Sequence, residues 1–134
     1  MNAFDWPSTR IAARPTCTAI VCAYNEEKTI GGVIDALRQT PFIDEIIVVD
    51  DGSADATPDI IRQAAQTGEV IGLCFEQNRG KAYAMAEAAA LAHSDSLLYV
   101  DADLHNWSAD FAAQILSPLW AREADMVIGY PVRD

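Results

Sequence analysis

The sequence predicts an α/β domain built on a mostly parallel sheet with helices on both faces. Three observations predict it. From Thr16 onward, short apolar runs alternate with longer amphipathic stretches, as strands alternate with helices. The runs are rich in Val, Ile, Leu or Cys and are short enough to be buried strands. The stretches between them carry helix start and stop residues. A chain of 134 residues has room for one domain, and its 51% hydrophobic content falls in blocks that can build a core.

Strands are expected at 16–23, 45–50, 69–75, 96–101 and 125–129, and the second and fourth end in acid. Ile30, Val33, Ile34 and Leu37 recur at helical spacing, which predicts a helix over 27–39 that ends before Pro41. Thr57 and Pro58 suit an N-cap and first helical position. Ile60, Ile61, Ala64 and Ala65 then give that helix a buried face, and Gly68 stops it. The third helix, 81–93, is largely alanine, and its small side chains allow it to sit close on the sheet. Phe111, Ile115 and Leu119 mark a fourth. Trp120 and Tyr130 suit a core or an exposed face equally. Residues 1–15 read as a loosely ordered N-terminal segment and 16–134 as the domain, with no internal repeat or low-complexity tract.

The formal net charge of −11 disfavours nucleic acid and anionic membranes as partners. It also sets a constraint: an anionic phosphate ligand would need a divalent cation or a local basic group here. Cys17, Cys22 and Cys74 are odd in number and lie in or beside apolar stretches, which points to buried free thiols. The first 15 residues have no apolar stretch of signal-peptide length, and nowhere do about 18 apolar residues run together. The expectation is a cytoplasmic chain with no transmembrane segment.

In such a fold the loops after the strands gather along one edge, where ligands bind. That edge receives Tyr24-Asn25-Glu26 after the first strand, Asp50-Asp51-Gly52-Ser53 after the second and Asp101-Ala102-Asp103 after the fourth. A nucleotide site needs such a mixture, because base, ribose and phosphates each require different partners. Asp101 and Asp103 are spaced to approach one hard cation and leave positions for phosphate oxygens. An isolated Asp-x-Asp is more often a solvated acidic turn, and its place after a buried strand shifts that balance modestly.

Asp51-Gly52 is also a hairpin-turn pair, but the helix start at Thr57-Pro58 makes it a strand-to-helix turn. An ionised Asp at this rim suits a base N–H or ribose hydroxyls. Tyr24 is equally suited to a core or to stacking on a base. Gly80-Lys81 at a helix start, with Arg79 beside it, can bring N–H groups and cations near phosphate. His93 fits a helix end. His105 is open to three roles: a further metal ligand, a phosphate contact or an exposed loop residue. The sequence contains no Gly-x-x-x-x-Gly-Lys-Ser/Thr loop, Gly-x-Gly-x-x-Gly turn or Gly-x-Ser-x-Gly elbow.

In this order, Tyr24-Asn25-Glu26, Val48-Val49-Asp50-Asp51-Gly52-Ser53-x-Asp55-x-Thr57, Asn78-x-Gly80-Lys81 and Val100-Asp101-Ala102-Asp103-Leu104 resemble glycosyltransferase family 2. The resemblance covers 16–134 and implies the glycosyltransferase A (GT-A) fold, with a Rossmann-like sheet that is truncated here. It implies that Tyr24 and Glu26 contact the nucleotide, Asp51 binds the base, Asp50 supports that loop and Lys81 touches the nucleotide. Asp101 would lie near ribose and metal, and Asp103 would be the principal ligand of Mg2+ or Mn2+ on the donor's pyrophosphate, with His105 a candidate third ligand.

The implied partners are a UDP- or GDP-linked sugar and an unidentified acceptor. Cys22 stands where the family often has Pro, and Ala82 where many members have a second Gly. The stretch 103–107, with Ser117-Pro118-Leu119, is nearer to glucosyl-3-phosphoglycerate synthase-like members than to lipid-phosphate transferases. Family members continue beyond the position of Gly129, where the acceptor site and, in inverting enzymes, the base are supplied. The expectation is therefore a donor-binding part with no assigned base: Asp110, Glu123 and Asp134 are carboxylates without a motif. The alternatives are a catalytically silent nucleotide-sugar-binding module and, last, a sugar nucleotidyltransferase, which lacks its Gly-rich loop here.

Overall fold

The computed structural model describes residues 15–129. The elements alternate in the order β1 (Cys17–Ala23), α1 (Ile30–Arg38), β2 (Glu45–Asp50), α2 (Thr57–Ala65), β3 (Val70–Cys74), α3 (Lys81–Leu91), β4 (Ser96–Asp101) and α4 (Ala109–Trp120). The four strands form one parallel sheet in the order β3-β2-β1-β4. The first two connections step one way along the sheet, and the third crosses back over β2 and β1, so the order reverses between β1 and β4. An open α/β sheet leaves a crevice at such a reversal, just outside the strand ends.

The α/β expectation therefore holds. The N-terminal segment, Tyr130 and Asp134 fall outside the described residues, apart from Pro15 of the segment. Among the described residues no helix is long and apolar enough to cross a membrane, and Cys17, Cys22 and Cys74 are free thiols.

Two cores flank the sheet. On one face Ile30, Ile34 and Leu37 of α1, Ile61 of α2, and Leu116 and Trp120 of α4 pack against Ala19, Val21, Val48 and Val100. On the other, Ala84 and Ala88 of α3 lie on Ile20, Ile47 and Val49. Methyl-sized contacts bring α3 close to β1 and β2, as the alanine content predicted, while Tyr99 of β4 remains 44% exposed.

Three expectations are corrected. The run at 125–129 is not a strand and joins neither edge of the sheet. Gly129 instead lies against α4, where a Cβ would come 2.9 Å from Ile115 Cδ1, and Met126 and Ile128 stay exposed. The expected fourth helix is present as α4, with Ala112, Ala113, Leu116 and Trp120 as its buried face, which leaves Phe111 and Ile115 to meet Gly129. Thr57 is not the cap of α2, which falls at Ala56, because its hydroxyl is engaged with Asp55 and with the amide of Glu26. α1 begins at Ile30 rather than 27, since the preceding residues turn so that Glu26 O accepts the amides of Thr29 and Ile30.

At the end of the sheet away from the crevice, Glu45 ties three segments together. It accepts the Thr18 hydroxyl at 2.9 Å and the His93 amide at 3.0 Å on Oε1, and meets His93 Nδ1 at 3.0 Å on Oε2. Partial burial pushes the Glu45 carboxyl up, but the His93 and Thr18 hydrogen bonds outweigh it and hold it below its ordinary value. A carboxyl depressed in the folded state contributes stability above its unfolded pKa and loses it as pH falls through the folded value. Urea midpoints measured from neutral pH down through the carboxylate range should therefore fall more steeply for the wild type than for Glu45→Gln; parallel curves would remove Glu45 from the account.

Candidate functional site

The strand ends are level to within one residue, which is what gathers the functional residues. Ala23 pairs with Asp50, Asp50 with Cys74, and Cys22 with Asp101, so residues 24, 51 and 75 leave the sheet along one line and residue 102 one position below it. Neighbouring strands lie about 4.8 Å apart, so side chains from adjacent exits reach one another.

At the reversal between β1 and β4 this line opens into a cleft of about 330 Å³, lined by Cys22, Ala23, Tyr24, Glu26, Asp51, Lys81, Asp101, Ala102 and Asp103. Six of the predicted site residues thus share one wall. Tyr24 is 52% exposed and offers a ring face. Lys81 Nζ lies 3.1 Å from Asp101 Oδ1.

Asp50 is buried below this surface and uses its carboxylate to accept the Ser53 amide at 3.2 Å. His105 is not in the cleft: it lines a neighbouring, mostly aliphatic cavity of about 380 Å³ with Lys28, Val33, Leu104 and Trp107. Arg79 turns away as well, its guanidinium 5.0 Å from the centre of the Tyr83 ring. Asp110 and Glu123 also lie off the cleft. Among the described residues no three His, Cys, Asp or Glu side chains cluster as a ready-made metal site. The Asp101–Asp103 pair is what faces the open cleft. Two carboxylates suit a hard cation whose remaining positions are filled by phosphate oxygens and water.

The loops are bound to one another before any ligand arrives. Asn25 adopts a positive φ of 55°, which lets its amide donate to Ser53 Oγ and its Oδ1 accept from the Ala54 amide, both at 2.8 Å. The Glu26 amide donates to Thr57 Oγ1 at 2.9 Å, and Glu27 Oε2 accepts the Ala56 amide at 3.0 Å. Asp55 accepts from Thr57 and from the Glu27 amide; these bonds outweigh desolvation and hold its carboxyl below the ordinary value. Cys22, half-buried in the cleft wall, has its thiol pushed up to about 11 by burial, with Lys81 opposing and Asp51 adding to the rise. It is a neutral packing group at physiological pH, unsuited to act as a nucleophile.

The docking of the β3–α3 loop was not legible from the residues one at a time. Asp51, 4% exposed, accepts the Arg79 amide at 2.7 Å, the Gly80 amide at 3.0 Å and Asn78 Nδ2 at 3.1 Å. Beside it Gly52 (φ +74°) lies so close to the same loop that a Cβ would come 2.4 Å from Asn78 N and Gln77 C. Gly52→Ala should therefore cost more than Gly68→Ala, which also has positive φ but meets nothing within 4 Å. We expect about 1 kcal/mol for Gly68→Ala and at least twice that for Gly52→Ala in urea denaturation; equal losses would show that the close approach is not limiting.

Comparison with known proteins extends this geometry. The sequence model of glycosyl transferase family 2 matches residues 18–133. The succinoglycan biosynthesis protein ExoU of Rhizobium meliloti is 37% identical over 94 residues, 69% of this chain and 28% of that protein. Glucosyl-3-phosphoglycerate synthase of Mycolicibacterium paratuberculosis is 34% identical over 113 residues, 78% of this chain and 33% of that enzyme. The chain spans about a third of the length of these relatives.

Among solved structures, the mannosyltransferase PcManGT of Pyrobaculum calidifontis, in complex with GDP-Man and Mn2+, superposes with a TM-score of 0.70 at 30% identity. The match covers 80% of this chain and 32% of that one. Glucosyl-3-phosphoglycerate synthase of Mycobacterium tuberculosis, in complex with Mn2+, UDP-glucose and phosphoglyceric acid, gives 0.69 at 30% identity over 84% of this chain and 42% of that one. With the motifs in order along a parallel sheet, and the match running over nearly the whole sequence, this chain belongs to glycosyl transferase family 2, as an N-terminal portion of the GT-A fold.

Proposed function

We propose that the chain binds the nucleotide-diphosphate sugar of a sugar-transfer reaction, together with Mg2+ or Mn2+, as the donor-binding part of a glycosyltransferase. The observation that carries this is the convergence of Tyr24, Glu26, Asp51, Lys81, Asp101 and Asp103 in one cleft at the reversal of strand order. Related structures hold GDP-Man or UDP-glucose with Mn2+, which supports the same ligand class here.

Tyr24 would stack on the base and Glu26 would take a nucleotide hydroxyl. Asp50 and Asp51 would shape the base-side loop. Lys81 is near enough to Asp101 to exchange that carboxylate for a phosphate oxygen. Asp103 and Asp101 would hold the cation, and His105 could join them if its ring turned out of the neighbouring cavity. When bound, the cation neutralises charge on the departing nucleoside diphosphate. The acceptor would be met by groups outside this cleft.

One observation favours a second reading, a module that binds donor without transfer. Among the described cleft carboxylates, Glu26 is engaged by Thr29, Asp51 by the 78–80 loop and Asp101 by Lys81, Asp103 is the one given to the cation, and Asp110 and Glu123 lie elsewhere. Release of nucleoside diphosphate from a donor sugar separates the two readings, since turnover excludes the silent module.

Calorimetry with UDP- and GDP-sugars tests the binding reading directly. Wild-type protein should bind a donor with Mn2+ present, and Asp103→Ala should weaken that binding by about tenfold or more. Equally tight binding without Mn2+ that survives Asp103→Ala would overturn the metal role.

A further inference from the structure

The geometry points to Asp51 as a positioning residue for the phosphate end of the donor, acting through the β3–α3 loop rather than chiefly by contact with the base. This deepens the donor-binding function proposed above and rests on it. A carboxylate has roughly four lone-pair positions. Asp51 commits three of them to its own chain: Oδ1 takes the Arg79 amide, and Oδ2 takes the Gly80 amide and Asn78 Nδ2. Asn78 Nδ2 also donates to Asp51 O at 3.1 Å, so the loop is clasped by backbone and side chain of the same residue.

Gly52 completes the seat. Its bare Cα lets the backbone of residues 77 and 78 settle where any side chain would stand, which fixes the loop's height above the sheet. The held segment runs directly into α3, whose first residue is Lys81 and whose N-terminus has no side-chain cap. Two residues after the amide that Asp51 grips most closely comes the ammonium that reaches Asp101 across the cleft. Asp51 and Gly52 thus determine where Lys81 and the first turn of α3 stand relative to Asp101 and Asp103. On this account one carboxylate sets the geometry in which a diphosphate meets its cations.

The test compares ligands with and without phosphate. Asp51→Asn keeps the shape but turns an NH2 group toward amide donors. Asn78→Ala, at an exposed position, removes part of the clasp with less risk to folding. In the intact protein with Mn2+, calorimetry would measure UDP and GDP against uridine and guanosine, and hydrogen exchange would follow the Arg79 and Gly80 amides.

We expect Asp51→Asn to lose at least about tenfold in diphosphate affinity, with Asn78→Ala losing less and nucleoside affinity changing by under about threefold. Exchange at Arg79 and Gly80 should quicken while amides of β1 and β2 stay protected. Adding Lys81→Ala to Asp51→Asn should cost little beyond either change alone. Equal losses for nucleoside and diphosphate, or unaltered exchange at the two amides, would overturn the inference. If wild-type protein binds none of the four ligands, the donor-binding function fails, and the exchange measurement still decides whether Asp51 holds the loop.

Discussion

At Gly52 the exit of β2 and the loop between β3 and α3 approach too closely for any side chain to stand between them, and the cleft depends on that contact. With the three hydrogen bonds to the Asp51 carboxylate, it makes the β2 and β3 exits one body. The β1 exit is bound to the same body through Asn25, Glu26 and Glu27, which reach Ser53, Ala54, Ala56 and Thr57. Three of the four loops at the ligand edge are thus organised by their own hydrogen bonds, so little ordering is left to be done when a ligand binds. The β4 exit is tied differently, through Lys81 and Asp101. Both side chains are 67% exposed, and an ion pair so placed contributes about 1 kcal/mol or less. The edge of the site that must exchange partners on binding is therefore the edge held most loosely.

The electrostatics follow the same division. A chain of net charge −11 gathers Glu26, Asp50, Asp51, Asp101 and Asp103 at one edge of its sheet. The two buried members are stabilised by amide N–H groups, from Ser53 for Asp50 and from Arg79 and Gly80 for Asp51. Such donors offset desolvation without adding a mobile charge. Burial keeps the Cys22 thiol protonated, so the wall gains no further negative charge. What is left facing solvent is the acidic end of β4. A diphosphate would be repelled there without a cation, and a cation would be incompletely coordinated there without a diphosphate. Each ligand supplies what the other lacks.

How much of this the sequence disclosed depends on the range of each interaction. β2 and β4 were legible to the residue, because a buried parallel strand bounded by acid leaves a continuous apolar run. The alanine face of α3 was legible for the same reason. Met126-Val127-Ile128 carries the same local pattern without becoming a strand, since pairing is decided by edges and neighbours that the run itself does not encode. Phe111, Ile115 and Leu119 mark α4 in the sequence, and the residues the helix presses inward are their neighbours, Ala112, Ala113, Leu116 and Trp120. The ligand edge could be listed residue by residue, but the partner of Asp51 lies 27 to 29 positions away and donates mainly through its backbone. Backbone donors leave no mark in side-chain identity. The sole local trace was Gly52, which as easily describes an ordinary turn.

Cavity size and chemistry point to different places on this molecule, and the fold explains why chemistry decides. The larger hollow, about 380 Å³ between α1 and the loop after β4, is walled mainly by Val33, Leu37, Val100 and Leu104. Trp107 is pinned at its margin by a 2.9 Å hydrogen bond from Nε1 to Thr40 Oγ1. That aliphatic wall can bury apolar surface, but the polar groups around it, Lys28, Thr29, His105 and Asn106, include no carboxylate to pair with a cation. The smaller cleft receives the ends of β1, β2 and β4 and the start of α3, and thus an aromatic face, acceptors and an ammonium from separate elements. Only at the reversal of strand order can so many exits meet, because everywhere else along the edge a neighbouring loop closes the gap. His105 lies on the wall of the larger hollow although it is two residues beyond Asp103, so the chain leaving β4 serves both cavities.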